Sequence, residues 1–187
     1  RDPETYPPRL NLTREKKGII KSSFISANQG RPFWETLSEK DVKNTVVRWP
    51  VTFPAKKLNG KMLSGLGVVD LKGMLNSYSF YTDGDIGEKG KEKVVKVEVQ
   101  DNIIETFVSG PEVKKGGEYK EIKVPMKIKL KENKAEFEIQ DHKFSLSEKE
   151  WSDMISVKFK VFVMKTSGIF KMYLESIDPF KMYMTSV

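Results

Sequence analysis

The 187-residue chain contains no cysteine and a single histidine, His142. It can form no disulfide and no thiolate metal site, and it has no cysteine nucleophile. A zinc site around one imidazole would have to draw its other ligands from carboxylates, which suit zinc poorly. His142, in "QDHKF", therefore reads as a hairpin-turn residue. Arginine is scarce too: only Arg1, Arg9, Arg14, Arg31 and Arg48 stand among 33 basic residues. Nucleic-acid readers lean on arginine and on aromatics set among basic residues, and neither pattern is present. No apolar run reaches the roughly 18 residues that a spanning helix needs. The missing cysteine leaves the compartment open, with a soluble, cytoplasmic setting favoured. The full phosphate-loop and dinucleotide fingerprints are also missing.

What is present is an ordinary folded composition, with 38 % hydrophobic and 32 % charged residues. The formal net charge of +7 raises the prospect of an anionic partner. Acids are threaded among the lysines, however, as in "GEKGKEKVVKVEVQ", and this reads as a solvated lysine-rich surface.

Residues 1–29 hold several prolines and read as an extended arm. Pro32 suits a helix start, Phe33, Trp34 and Leu37 give helical apolar spacing, and Glu35 favours the first turn, so a short helix is expected to end near Lys40. "NTVVRW" predicts a strand from about Asn44 to Trp49, limited by Pro50. Asp83, Asp85 and Glu88 resemble an incomplete calcium loop, and 83–92 reads rather as a linker. From Lys93 onward the period changes to two. Val95, Val97 and Val99 form one apolar set. Ile122, Val124, Met126, Ile128 and Leu130 form another, with Glu121 and Lys123 facing away. Ala135, Phe137 and Ile139, then Val157, Phe159 and Val161, then Phe170, Met172 and Leu174 continue the pattern. These predict antiparallel strands with one buried face, six or more over 93–177. "KKGGEY", "KENK" and "KTSG" read as turns between them. Pro125 predicts an edge strand or a bulge. "LSEKEWSDM" suggests a helical turn or irregular corner, with Trp151 anchored in the core.

The stretch "LNGKMLSGLGVVDLKG", Leu58 to Gly73, could offer backbone N–H groups to an anion near Lys61 or Lys72, though a turn is the plainer reading. It sits within "GRPFWETLSEKDVKNTVVRWPVTFPAKKLNGKMLSGLGVVDLKGMLNSYSFYT", Gly30 to Thr82. This block resembles the type I phosphodiesterase/nucleotide pyrophosphatase branch of the alkaline phosphatase superfamily. "RDPETYPP", "EWSDMISVKF" and "LESIDPFKMYMTSV" resemble further pieces of the same proteins. The resemblance implies a parent enzyme with a Ser or Thr nucleophile and two divalent metals, commonly zinc, held by Asp and His. In that family the nucleophile precedes the block and the remaining ligands follow it. Val69, Lys72 and Met74 depart from the usual Pro, Arg and Thr.

These readings give an expected α+β chain: an arm at 1–29, a short α/β body segment at 30–82, a linker at 83–92 and an antiparallel β-rich cap, sandwich or barrel-like, at 93–187. The implied role is a non-catalytic cap of a metal-dependent phosphodiesterase or phosphatase. Arg48, Thr52, Lys61, Ser64, Asp70 and Lys72 would border the substrate cleft. The chain itself would need no cofactor. Its partners would be the rest of the parent chain and a phosphate-ester substrate, and an uncovered face could make it dimerise. The alternative is a freestanding β-rich module binding an anionic ligand, nucleic acid or glycan.

Overall fold

The computed structural model describes residues 13–16, 23–26, 30–65, 68–74, 77–85, 93–162 and 164–187. Of the described residues 59 % are strand and 5 % helix, with one helix, several sheets and no closed barrel among them. The expectation of an α+β chain with an α/β body segment is therefore corrected to a mostly β chain. The physical reason is visible in the helix itself, which is seven residues long and buries only Trp34. Such a helix is too short to cover a sheet. Two compact units divide at Val69 and Asp70.

In the first unit, β1 (Thr13–Lys16) pairs antiparallel with β2 (Ser23–Ser26). Helix α1 (Phe33–Glu39) starts after Pro32, which stands at the N-cap in an extended conformation. β3 (Asn44–Trp49) and β4 (Gly60–Ser64) form a two-stranded parallel sheet. The helix limit near Lys40 and the β3 limits agree with the sequence signals. Trp34 and Trp49 meet edge to face at 6.4 Å between ring centroids, with Phe33 beside both.

The second unit holds β5 (Tyr78–Thr82), β6 (Lys93–Lys96), β7 (Ile103–Lys115), β8 (Glu118–Lys131), β9 (Lys134–Ile139), β10 (His142–Ser147), β11 (Glu150–Trp151), β12 (Ile155–Val161), β13 (Met164–Phe170), β14 (Met172–Ser176) and β15 (Lys181–Thr185). A four-stranded sheet runs β10-β9-β8-β7 and a five-stranded sheet runs β11-β14-β15-β5-β6. β12 and β13 form a separate pair. Their inward residues share one core, including Ile104, Val124, Ile128, Phe137, Val157, Phe159, Met172, Leu174 and Met182. The period-2 pattern of β8, β9 and β12 produces this directly, because alternate residues of a strand leave on opposite faces.

Several local expectations change. Pro125 lies on β8, an interior strand of its sheet. The β8–β9 register starts only at Met126, so at Pro125 the strand has a neighbour on one side alone. "KTSG" is not a turn but the middle of β13. A β-carbon on Gly168 would stand 2.4 Å from Val187 Cγ1 and 3.1 Å from Leu71 Cδ1, so the glycine is there for a close approach. "LSEKEWSDM" forms no helix: β10 ends at Ser147, Lys149 takes φ 63°, and its N–H donates to the Leu174 carbonyl at 2.7 Å. Trp151 then lies on β11 with 52 % of its surface exposed, not in the core. Of the 83–92 stretch, residues 86–92 lie outside the described residues, and so does Glu88.

Candidate functional site

The first group of candidate residues gathers at the end of the β3–β4 pair. The register shifts between Val47 and Trp49, and Arg48 at the bulge takes φ 52°. Gly65 passes so close that a β-carbon on it would lie 2.3 Å from the Arg48 carbonyl, which only glycine permits. Thr52, buried, donates its hydroxyl to the Trp49 carbonyl at 2.7 Å and accepts the Gly65 N–H at 3.1 Å. Ser64 Oγ donates to the Thr52 carbonyl at 2.8 Å. The hydroxyls of Thr52 and Ser64 thus fasten backbone to backbone, while the Arg48 side chain remains exposed. Lys61 stands apart from them, exposed on β4 opposite Thr45.

Asp70 and Lys72 belong to the second unit. The Asp70 carboxylate accepts the Lys72 and Met74 N–H groups at 2.9 and 2.7 Å, and the Ser77 hydroxyl at 2.6 Å. Its backbone closes the same turn, with its N–H donating to Met74 O and its carbonyl accepting the Gly73 N–H, both at 3.0 Å. An aspartate spent this way organises a turn. Replacing it with alanine is expected to cost about 1–2 kcal/mol, less than a fully buried loss because Met74 is exposed. Urea unfolding would measure that, and Asp70→Asn should recover part of it.

Lys72 leads to a cluster the sequence did not announce. Glu121 Oε1 lies 2.5 Å from Lys93 Nζ and 3.5 Å from Lys72 Nζ, and Lys93 Nζ also donates to the buried Ser109 hydroxyl at 2.7 Å. Burial pushes the Glu121 carboxyl up, but the Lys93 hydrogen bond and charge, Ser109 and Lys72 together carry it below the ordinary glutamate value. Burial, then the neighbouring Lys93 charge, pushes the Lys72 ammonium down, against the pull of Glu121. Burial and the Glu121 charge hold the Tyr81 phenol well above its usual value, and its hydroxyl donates to Phe107 O at 2.9 Å.

Glu121 was expected on the solvent face. It turns inward because the β7–β8 register shifts between Ser109 and Glu112, so the inward positions of β8 change from Tyr119 and Glu121 to Ile122, Val124 and Met126. The signal in the sequence is a phase slip in the apolar alternation, from odd-numbered Tyr119 to even-numbered Ile122.

The remaining candidates have local roles. His142 opens β10 just after a turn, and its Nε2 lies 2.8 Å from the Ser156 carbonyl. Gln140 beside it bonds both the N–H and the carbonyl of Lys158. Together they cover the free edge of β12. Asp83 Oδ1 accepts the Phe180 N–H at 2.8 Å. Among the described residues no group of three or more His, Asp or Glu side chains could hold a metal ion. No helix among them is long and apolar enough to cross a membrane. On the outer face of the four-stranded sheet signs alternate across strands, Glu105–Lys127–Glu138–Lys143 in one row. Along β8, however, Lys123, Lys127, Lys129 and Lys131 share the exposed face, a lysine stripe flanked by Glu105 on β7 and by Glu136 and Glu138 on β9. Compared with protein-family models, curated proteins and solved structures, the chain finds no match, so the functional reading rests on its own residues.

Proposed function

We propose that this chain is part of a metal-dependent phosphodiesterase or phosphatase, where it shapes the substrate cleft and does not supply the reacting centre. The observation that carries the reading is the β3–β4 pair. It is parallel, it has two strands, and neither outer edge is paired among the described residues. Parallel sheets are normally covered on both faces, and a lone pair of strands is marginal in water. Yet Val47 and Leu63, directly opposite each other, are 60 % and 61 % exposed, and Trp49 and Phe33 add to the apolar surface. An element of this kind fits against further polypeptide. It is built from the residues that resemble the phosphodiesterase block, "VVRWPVTFP" and "KMLSG". The metals, by the same resemblance two divalent ions such as zinc, would be held by the rest of the parent chain.

The test is turnover of bis(p-nitrophenyl) phosphate with added zinc or manganese. A parent chain carrying the flanking sequence is expected to hydrolyse it, and the 187-residue chain alone is expected to be inactive. Metal-dependent turnover by the short chain would overturn the placement of the centre. An inactive, metal-loaded parent would overturn the enzyme class.

A further inference from the structure

Trp151 is the residue whose place the fold leaves unexplained. Its ring, 52 % exposed, is held against Tyr173 on a well-fixed strand and presents an aromatic face to solvent. Its backbone is pinned: β11 pairs with β14, and the Ser152 N–H donates to Met172 O at 2.8 Å. The Ser152 hydroxyl in turn accepts the Met172 N–H at 2.9 Å and donates to Asp153 O at 2.7 Å. Tyr173 lies along one side of the indole, 5.0 Å between centroids. The indole borders a groove of about 370 Å³ between the edge strand β10 and residues 150–155. Met154, 58 % exposed, stands on the same wall.

We propose that this groove binds a neutral saccharide of one or two units. The indole and the Met154 side chain offer an apolar platform of the kind that takes the C–H face of a sugar ring, and polar groups converge around it. The Ser156 carbonyl can only accept, so His142 Nε2 carries a proton toward it. Ser145 lines the groove with a hydroxyl. The exposed Asp153 carboxylate has no hydrogen-bond or ion-pair partner among the described residues. Glu150 is committed to the Ser147 N–H at 2.7 Å, while Lys143 on the rim pairs with Glu138 at 3.2 Å. A fixed aromatic wall, a hydroxyl and an unpaired carboxylate acceptor in a groove of this volume suit a polyol better than an anion. The inference stands independently of the hydrolase reading.

His142 is the chain's single histidine, so its ring protons give an isolated NMR signal at the groove. Titration of the 187-residue chain with maltose, cellobiose and N,N′-diacetylchitobiose is expected to shift that signal saturably with at least one of them. Trp151→Ala should weaken the binding by roughly tenfold, and Trp151→Phe should keep most of it, both with unchanged circular dichroism. Should Trp151→Ala fail to fold, Met154→Ala and Asp153→Ala serve in its place, each expected to weaken binding. The proposal is overturned if none of the three sugars gives a saturable shift, if binding is unchanged in every folded groove variant, or if tetramethylammonium chloride saturates the signal and the sugars do not.

Discussion

Gly110→Ala is expected to destabilise the protein by about 2–3 kcal/mol, at the upper end of the cost of overpacking a core. Gly110 lies in the middle of β7, and a β-carbon built there would stand 2.4 Å from the Cδ1 and Cε1 atoms of Phe159 and 3.0 Å from Ile122 O. Phe159 is wholly buried and has no room to retreat. Its Cε2 atom lies near Gly168 on β13, where Val187 and Leu71 already fill the space. The melting temperature should fall by roughly 5–10 °C. Because the clash has one identified partner, Phe159→Leu should relieve it: the double variant should be more stable than the two single costs predict. A Gly110→Ala protein within about 0.5 kcal/mol of the wild type, the range of ordinary surface changes, would show that β7 and β12 are not packed this closely.

The second large effect is expected at Glu121. Glu121→Gln leaves Lys72 and Lys93 facing each other with no carboxylate between them. Breaking a fully buried pair costs more, but the partial exposure of all three side chains screens the charges, so a loss of about 2 kcal/mol at neutral pH is expected. The pH dependence identifies the cause. Glu121 has a folded-state pKa below its unfolded value, so its contribution is present above the unfolded value and is lost as the pH falls through the folded one. That acid-side loss should be absent from the Glu121→Gln variant. Lys72 acts on the alkaline side. Its ammonium is disfavoured in the folded state, so stability should rise as the pH passes from its lowered pKa toward the ordinary lysine value. In Glu121→Gln the opposing pull of the carboxylate is gone and this rise should begin at lower pH. Chemical denaturation across the pH range reads both windows. An unaltered acid limb in the variant would mean that another carboxylate carries the effect.

The regular strands were legible where burial alternates without interruption, as in β9 and β12. The helix and β3 were legible because Pro32 and Pro50 punctuate them. Legibility failed where one residue type serves two purposes. Ser109-Gly110-Pro111 is made of residue types that favour turns, yet it lies within a 13-residue strand. There the glycine makes room for Phe159 and the proline falls at the register shift. Gly168 in "KTSG" misleads for the same reason. Glu121 was placed on the wrong face because a bulge inverts the inside and outside of every residue beyond it. Among the cleft candidates, Thr52, Ser64 and Asp70 were recognisable as polar residues in a glycine-rich setting. The sequence could not show that their oxygens are already occupied by backbone partners. The Lys93–Glu121–Lys72 cluster joins three strands or turns far apart in the chain, and no local pattern reports such a meeting.

The Leu71 N–H donates to the carbonyl of Val187 at 2.9 Å, and β5 lies beside β15 through five paired residues. The second unit therefore has its entrance and its exit at one doorway. A polypeptide can step out through such a doorway, build some hundred residues of sheet, and step back within the span of a single hydrogen bond. A module of this geometry can be carried on the loop of another fold without prising that fold apart.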